Sequence, residues 1–375
     1  MTRVGRWGMT ALGLTLMTAA CGPTTPDAGE DATPIKRAPT PPNEFTPVEL
    51  EATIDGLIAE LNKRSARSMQ MAIVLKDADG FWAPVVTAAN RALGDLGVIG
   101  NVIGPVAQSS DSDESEALQN DQIAQVVADG AEGIGLAPFN DIQTAAVDAA
   151  VAEGVPVVTL DTDVAASKRT LFVGTLDKAA GATAAQTLLA MLPPPPGTVI
   201  VHGSEDAAWS NGFDRTQGAR GVLEAAGYDV LVRQSTWDDG GEAWDIDWMK
   251  AQIGAADPPA VGMLGLFNIS YRCAMAAEAA GKPDLPIVAF DFDPRTVDYM
   301  RAGRIKATHT QRQYYQGYLV PYILYGIKSI GLDATRRVLA PQMVDDIRVD
   351  TGLDVVPADR IDAYNDFLEA IRANP

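Results

Sequence analysis

The segment Gly135-Leu-Ala-Pro-Phe-Asn140 recurs later in the chain as Gly265-Leu-Phe-Asn268. In each copy a helical stretch and a Gly-to-Pro turn follow, and the next apolar run ends in Asp-x-Asp, first at Asp161 and then at Asp291. Ligands of open parallel sheets bind beyond the carboxyl ends of the strands, which is where both motifs lie. The repeat therefore predicts two lobes of similar fold, whose strand ends face each other across a polar cleft.

Short apolar runs alternate with helical segments along most of the chain, which predicts an α/β fold with parallel sheets. Strands that are buried on both faces form continuous apolar runs instead of an alternating pattern. The runs of this kind are Met71–Leu75, Val98–Val102, Gly133–Ala137, Val155–Leu160, Thr170–Val173, Thr198–Val201, Val230–Arg233, Ala260–Leu264, Ile287–Phe290 and Ile305–Thr308. A chain of 375 residues is long for one core and sufficient for two lobes.

The N-terminus predicts export. Basic residues precede an apolar run that is too short to span a bilayer as a helix, and small residues stand just before Cys21. The stretch Met17-Thr-Ala-Ala-Cys21 resembles a lipobox, with Thr18 where a leucine usually stands. We expect residues 1–20 to be a signal peptide and Cys21 to carry a lipid; an ordinary signal peptide with an incidental cysteine is the alternative. Proline-rich residues 21–47 are expected to form a tether, followed by a leading helix over 48–68.

The charge and the cysteine content of the chain limit the classes of ligand and cofactor that it is expected to bind. The chain has 29 basic and 49 acidic side chains, a net charge of −20, which disfavours nucleic acid and suits a neutral or cationic small ligand better than a phosphorylated one. If Cys21 is lipidated, no disulfide can form, and Cys273 lies in an apolar helical pattern typical of a buried small residue. His202 and His309 are too few and too scattered for a metal site, and no cofactor is expected.

Several motifs stand where predicted strands end. They are Asp79-Gly-Phe-Trp82, Arg215-Thr-Gln-Gly218, Trp237, Asn268, Ala289-Phe-Asp291 and Ala307-Thr308 with Gln311. At these positions residues 69–365 resemble the periplasmic sugar-binding proteins of the ribose-binding type, which carry Asn-x-Phe-Phe, Arg-x-x-Gly, an aromatic residue, Asn, Gly-Phe-Asp and Ala-Thr-x-x-Gln. Asp161 stands where that family has a sugar-contacting aspartate.

The resemblance implies two Rossmann-like lobes with parallel sheets, joined by a three-strand hinge, as in type I periplasmic binding proteins. We expect lobe 1 to hold residues 69–173 and 312–334, lobe 2 to hold 174–311 and 335–358, and 359–375 to form a C-terminal helix. The resemblance also implies a monomer in the periplasm or on the outer face of the cell membrane. Such a receptor hands its ligand to the membrane permease subunits of an ATP-binding-cassette importer.

The candidate residues fit a small carbohydrate on chemical grounds too. Each sugar hydroxyl donates one hydrogen bond and accepts two, so carboxylates take its proton while arginine and amide groups donate to its oxygen. Aromatic rings cover the C–H faces of the sugar and exclude water. The expected ligand contacts are Asp79, Phe81, Trp82, Asp161, Arg215, Trp237, Asn268, Asp291 and Gln311. Asp79 replaces an amide of the family, which suits an amino sugar or another hydroxyl pattern; pentose, hexose, amino sugar and polyol all stay open.

Each of these residues also has an ordinary structural interpretation. An aspartate after a strand commonly caps a helix, Phe81 and Trp82 could belong to the core, and Asp79 could point to solvent. An enzyme is not expected, because the sequence has no nucleophile elbow, phosphate loop or dinucleotide motif. Asp161 and Asp291 could imitate glycosidase carboxylates, but we expect Arg215 to hold both ionised.

Two further classes share the expected fold. A regulator of the lactose-repressor type would carry a basic helix-turn-helix in front, whereas this acidic chain begins with an export signal. A sensor protein would present its closed form to a membrane chemoreceptor or histidine kinase. The sequence leaves this last alternative open.

Overall fold

A computed structural model describes residues 34–104, 112–237 and 240–371. Two six-stranded sheets form two lobes. The first sheet contains β1 (Gln70–Val74), β2 (Ile99–Ile103), β3 (Gly133–Leu136), β4 (Val157–Leu160), β5 (Leu171–Gly174) and β11 (Arg348–Asp350). The second sheet contains β6 (Thr198–Gly203), β7 (Asp229–Gln234), β8 (Ala260–Gly265), β9 (Ile287–Phe290), β10 (Ala307–Thr310) and β12 (Asp354–Pro357).

Helices cover both sheets. They are α1 (Val48–Leu61), α2 (Ala83–Leu96), α3 (Ser112–Ala128), α4 (Thr144–Ala152), α5 (Asp177–Leu189), α6 (Ser210–Ala225), α7 (Gly241–Ala255), α8 (Tyr271–Ala279), α9 (Pro294–Arg301), α10 (Gln313–Ser329), α11 (Leu332–Leu339) and α12 (Ile361–Ala370). Within the described ranges, none of the helices combines the length and the apolar character needed to cross a bilayer.

The strand order is β11-β5-β4-β3-β1-β2 in the first sheet and β12-β10-β9-β8-β6-β7 in the second. The paired strands run parallel, with β10 and β12 as the antiparallel pair. The central strands β3, β4, β6 and β9 are buried along their whole length, which explains their continuous apolar sequences. The expected α/β fold with two parallel-sheet lobes is confirmed.

The chain passes between the two sheets three times, after β5, after β10 and after β11. Hydrogen bonds tie the three crossings to one another. The Thr351 amide donates to the Gly174 carbonyl at 2.9 Å, and Arg312 Nη1 donates to the Thr351 carbonyl at 3.1 Å. Thr175 Oγ1, in the first crossing, lies 3.5 Å from the Gln311 carbonyl in the second. The three connected crossing segments thus form the expected hinge between the lobes.

Two glycines let α5 and α6 touch backbone to backbone. A Cβ at Gly218 would lie 1.9 Å from the Lys178 carbonyl oxygen, and one at Gly181 would lie 1.8 Å from the Arg215 carbonyl oxygen. Any larger residue would force the helices apart. The close contact brings Asp177, at the start of α5, beside Arg215 on α6.

The expected boundary of lobe 1 at residue 334 is wrong. β11 pairs with β5 in the first sheet, with Val349 opposite Val173, and α11 packs against α1 and α10. Residues 335–350 therefore belong to lobe 1, and the chain returns to lobe 2 only at β12. The sequence of β11 conceals this strand, because it is three residues long and alternates charged with apolar side chains.

The expected tether is shorter than residues 21–47, because residues 34–47 pack on the body. We call this segment the N-terminal strap. Ile35 is buried, and its amide donates to Asn62 Oδ1 at 2.8 Å. Arg37 pairs with Glu51 of α1 at 2.6 Å, and Phe45 meets the ring of Tyr364 in α12 with centroids 5.0 Å apart.

The leading helix also ends earlier than the predicted 48–68. α1 ends at Leu61, and the side chain of Asn62 turns to the strap, where its Nδ2 donates to the Ile35 carbonyl at 3.0 Å. The predicted signal peptide, the lipidation at Cys21 and the first part of the tether lie outside the described residues.

Candidate ligand-binding site

A cavity of about 360 Å³ lies between the lobes, and all nine expected contact residues line it. Lobe 1 contributes the residues that follow β1 and β4, and lobe 2 contributes those that follow β6, β7, β8, β9 and β10. The cavity therefore lies at the carboxyl ends of parallel strands, as the repeat predicted. Its further lining residues are Lys76, Asp77, Gly80, Trp209, Asn211 and Phe267.

Asp161 and Asp291 occupy equivalent places at the ends of β4 and β9. Both are buried, and both have a left-handed backbone, with φ of 61° and 65°. Aspartate tolerates this conformation better than most residues, but it still costs free energy and is concentrated at functional sites. The Asp161 amide donates to the Val173 carbonyl and the Asp291 amide to the His309 carbonyl, so the neighbouring strand fixes each turn.

The second aspartate of each Asp-x-Asp motif has a structural role. Asp163 forms an ion pair with Arg169 and accepts a hydrogen bond from Thr159 Oγ1 at 2.8 Å. Asp293 is the N-cap of α9 and accepts from the Arg295 amide at 2.8 Å. The ordinary interpretation of a post-strand aspartate thus holds for the second position, and the first position faces the cavity.

A hydrogen-bonded chain of four side chains forms the base of the lobe 2 surface. Arg215 Nη2 donates to Asp177 Oδ1 at 2.7 Å and to Gln311 Oε1 at 3.0 Å, and Gln311 Nε2 donates to Asp291 Oδ1 at 3.0 Å. Arg215 also donates from Nε to Asp177 and from Nη1 to the Leu266 carbonyl, at 3.0 and 2.9 Å.

Burial dominates the electrostatics of this chain. It raises the pKa of Asp177 to about 7 and that of Asp291 to about 7, although Arg215 favours the ionised form of both. With this pKa, Asp291 is only partly ionised at neutral pH, so Arg215 favours its charged form less completely than expected from the sequence. Arg215 is committed to Asp177, and it reaches Asp291 only through the neutral amide of Gln311.

The lobe 1 carboxylate has a different neighbour. Lys76 Nζ lies 3.7 Å from Asp161 Oδ2, donates to Thr162 Oγ1 and stands over the Trp82 ring at 5.8 Å. Burial lowers the pKa of Lys76. Lys76 was not among the contacts expected from the sequence. Its position directly after the apolar run of β1 could have indicated it.

Aromatic rings form two opposite walls. Phe81 and Trp82 of lobe 1 pack edge to face with centroids 5.1 Å apart. In lobe 2, Trp209 stacks on Phe267 at 4.7 Å, and Trp237 meets both rings edge-on at 4.9 and 5.2 Å. The sequence indicated Trp237 and the Phe-Asn motif but not their packing with Trp209, which depends on three separate loops.

Asp79 and Asn268 also line the cavity, with different surroundings. Asp79 is exposed at the rim, where its amide lies 3.3 Å from Asp77 Oδ1. Asn268 is half-buried beside Phe267. Its lobe 1 counterpart Asn140 does not line the cavity; it accepts from the Ile142 amide at 2.9 Å as a helix N-cap.

A larger groove of about 930 Å³ lies beside the first crossing and shares Asn211 with the cavity. Both arginines that line it are already paired, Arg169 with Asp163 and Arg348 with Asp345. None of the nine expected contacts lines it. The described ranges contain no group of three or more histidine, cysteine, aspartate or glutamate side chains placed to hold a metal ion.

The sequence profile of the periplasmic binding protein domain family matches residues 71–329. The chain belongs to this family. The match covers both lobes of the binding protein and every residue from Asp79 to Gln311 that lines the cavity. Among curated proteins, no relative matches the sequence of this binding protein.

Solved structures share the fold of this binding protein. A sugar ABC transporter (sugar-binding protein) from Bacillus halodurans has a TM-score of 0.66 and 22% identity, covering 80% of this chain and 100% of its own. AraP, an arabinose binding protein from Geobacillus stearothermophilus, has 0.64 and 24%, covering 80% and 99%. GanP, a glucose-galactose binding protein from the same organism, has 0.65 and 21%, covering 78% and 98%. At these identities the likeness establishes the fold alone.

Proposed function

We propose that this binding protein captures a small sugar in the interlobe cavity and delivers it to an ATP-binding-cassette permease. The observation that carries the proposal is the composition of the cavity. Carboxylates from both lobes face a space that aromatic rings close on two sides, while arginine, lysine and amide groups supply donors. A sugar requires this combination of edge-directed polar groups and flat apolar walls.

The structural neighbours support a sugar as the ligand class. Those named above are sugar, arabinose and glucose-galactose binding proteins, and another, from Burkholderia graminis, is a solute binding protein in complex with D-arabinose. No enzymatic step is part of the proposal.

The charge of the cavity favours a neutral or amino sugar over an acidic one. Lys76 and Arg215 face four carboxylates, and Arg215 is already neutralised by Asp177. A sugar phosphate or uronic acid would bring a further negative charge close to these carboxylates in a poorly solvated space. We expect such ligands to be rejected.

Closure of the lobes about the three crossings would complete the site. Gln311 contacts Asp291 and stands at the second crossing, next to Arg312, whose backbone is left-handed with φ of 56°. A sugar that binds both lobes favours the closed form by its difference in affinity for the closed and open states. We expect a Kd of about 1 μM, a binding free energy of about −8 kcal/mol.

The test is calorimetric titration of the purified protein without residues 1–20, using a panel of aldoses, amino sugars, polyols, uronic acids and sugar phosphates. Unfolding and refolding beforehand removes carried-over ligand. Saturable one-to-one binding of a neutral or amino sugar, lost in a folded Arg215→Ala variant, is the expected result. Arg220→Ala, which alters the same helix at a surface ion pair with Glu205, is the matched control and should bind normally.

A folded protein that binds no carbohydrate in the panel would refute the sugar assignment. Binding of uronic acids in preference to neutral sugars would refute the charge argument alone. Export and anchoring at Cys21 are tested separately by labelling with a radioactive fatty acid. The label should be incorporated by the native chain and absent from Cys21→Ser.

A further inference from the structure

A buried charged cluster lies behind the aromatic wall of lobe 2, outside the cavity. We call it the Asp245 cluster: Asp245 of α7, His202 of β6, Arg233 of β7 and Arg272 of α8. Asp245 accepts from His202 Nε2 at 2.8 Å, from Arg233 Nε at 2.8 Å and from Arg272 Nη1 at 2.7 Å. None of the four residues lines the cavity.

The Asp245 cluster holds Thr236 from both sides of its backbone. The Thr236 amide lies 3.3 Å from Asp245 Oδ2, and Thr236 Oγ1 donates to Asp245 Oδ1 at 3.1 Å. Arg272 Nη1 donates to the Thr236 carbonyl at 2.7 Å. The start of α7 closes the third side, since a Cβ at Gly241 would lie 2.7 Å from Thr236 Oγ1. Thr236 is therefore immobilised within a loop between β7 and α7.

The next residue, Trp237, is the most exposed part of the aromatic wall. Its side chain keeps 48% of its surface exposed while its ring meets Trp209 and Phe267 edge-on. A half-exposed side chain on a loop would ordinarily sample several rotamers. The Thr236 carbonyl belongs to the peptide group that precedes Trp237, so the cluster fixes the plane from which the Trp237 backbone continues.

Stability does not account for this arrangement. Buried ion pairs lose solvation, and replacing them with apolar residues of similar size is often neutral or stabilising. A carboxylate that accepts several hydrogen bonds does, however, restrict its donors to one geometry, and functional side chains need such support from the residues behind them. Hydrogen bonds from His202 and the arginines hold the pKa of Asp245 at about 2 although burial opposes this, so the carboxylate stays ionised.

We propose that Asp245 and Arg272 are positioning residues, which hold Trp237 in the orientation that completes the aromatic wall of the binding cavity. The proposal rests on the proposed function, because it assigns the wall to ligand contact. Arg272→Met removes the donor to both Asp245 and Thr236. Its matched control is Arg301→Met, at an arginine of α9 whose partners Asp298 and Asp362 lie on the surface.

The first readout needs no ligand. Fluorine NMR of protein labelled with 5-fluorotryptophan resolves Trp237, whose signal is assigned by its loss in Trp237→Phe. We expect the Trp237 signal to shift or broaden in Arg272→Met and to stay in place in Arg301→Met, while the Trp248 signal is unchanged in both. An unchanged Trp237 signal in folded Arg272→Met overturns the proposal.

The second readout uses the sugar that saturates the native protein in the titration above. Arg272→Met should bind it about tenfold more weakly, and Arg272→Lys should recover part of this loss. In a Trp237→Ala background the same substitution should cause no further loss, because the residue it positions is gone. Additive losses overturn the proposal. If Arg272→Met does not fold, Thr236→Val, which removes the hydrogen bond to Asp245, is read by the same fluorine signal.

The two proposals fail in different ways. If no sugar binds, the proposed function fails while the fluorine signal still tests the positioning of Trp237. If a sugar binds and the Trp237 signal does not respond to Arg272→Met, the positioning fails while the proposed function stands.

Discussion

Asp161 and Asp291 occupy the same place in the two copies of the repeat and face the same cavity, whereas Asn140 and Asn268 do not. Asn140 caps a short helix and donates from Nδ2 to Glu116, away from the cavity. Asn268 and its neighbour Phe267 line the cavity in lobe 2. The asparagine of this motif thus caps a helix in lobe 1 and lines the cavity in lobe 2.

The two aspartates also differ in what surrounds them. Asp161 stands beside the cation Lys76, while Asp291 reaches the cation Arg215 only through Gln311. Burial raises the pKa of Asp291 to about 7. For these two aspartates the repeated pattern therefore indicates that each faces the cavity, and the neighbours contributed by other strands decide the chemistry of each carboxyl group.

The largest expected effect is on sugar affinity, and it distinguishes Asp291 from Asp293, the two aspartates of the second Asp-x-Asp motif. Asp291→Ala removes an acceptor for sugar hydroxyls and should weaken binding about 100-fold, a loss of about 3 kcal/mol. Asp293→Ala removes only the cap of α9 and should lower the free energy of unfolding by about 1 kcal/mol with affinity unchanged. Calorimetric titration and urea unfolding measure the two quantities; equal affinities for both variants would erase the distinction between the positions.

The next largest effect is on the free energy of unfolding, and it tests one close helix contact in each lobe. A Cβ at Gly218 would overlap Lys178 in lobe 2, and one at Gly317 would lie 2.4 Å from the Val85 carbonyl oxygen in lobe 1. Each alanine should lower the free energy of unfolding by about 2–3 kcal/mol. Only Gly218→Ala should also weaken binding in the folded fraction, because it displaces Arg215 relative to Asp177.

Gly221→Ala is the control for this pair of substitutions. It lies on the same helix as Gly218, and its added Cβ meets no atom within 4 Å. Alanine there should raise the free energy of unfolding by about 0.5–1 kcal/mol, since it restricts the unfolded chain. Destabilisation by Gly221→Ala of the size expected for Gly218→Ala would show that this helix responds to alanine in the same way at both positions, and that the close packing at Gly218 is not responsible.

A smaller effect tests the divergence of the Phe-Asn motif directly. Asn268→Ala should weaken sugar binding about tenfold and leave stability unchanged, because it removes one or two hydrogen bonds to the ligand. Asn140→Ala should leave affinity unchanged and cost about 1 kcal/mol of stability through the lost cap. Affinity lost in Asn140→Ala would mean that the two copies act alike after all.

A last test concerns the pH dependence that Asp291 adds. Its folded-state pKa of about 7 lies above the ordinary 3.8, so the folded protein holds a proton that the unfolded chain has released in this range. The stability that Asp291 contributes should therefore fall as pH rises from about 4 to about 7 and then level off. The difference in free energy of unfolding between the native protein and Asp291→Asn, measured at several pH values, isolates this contribution from the histidines.

Sugar affinity should move in the opposite direction, because only the ionised carboxylate accepts from two hydroxyls at once. We expect binding to weaken below about pH 7 in the native protein and to lose that dependence in Asp291→Asn. A flat pH profile for the native protein would mean that the ligand does not depend on an ionised Asp291.

Much of the fold was predictable because central parallel strands are buried on both faces and so are apolar throughout. The ten predicted strands all exist, with ends displaced by no more than two residues. β11 and β12 escaped prediction because they are short and lie at sheet edges, where charged residues are tolerated. The error in the lobe boundary follows from this, since β11 alone returns the chain to the first sheet.

The candidate site was predictable to the extent that it follows strand ends. All nine expected residues line one cavity, although ligand contact remains a prediction. Asp177 was not predictable, because its place beside Arg215 results from the close packing of α5 and α6. The pKa of Asp291 was not predictable either, because it depends on burial in three dimensions.

The N-terminal strap limits how far the chain can be shortened from its N-terminus. A chain that begins at Val48 would expose the site of Ile35 and leave Glu51 without Arg37, and a chain trimmed to the family match at residue 71 would also lose α1. They would also uncover the rings of Tyr364 and Phe367, against which Phe45 packs. The folded body is therefore longer than the segment that the family profile matches. A shortened chain intended for crystallisation or titration should begin no later than Pro34.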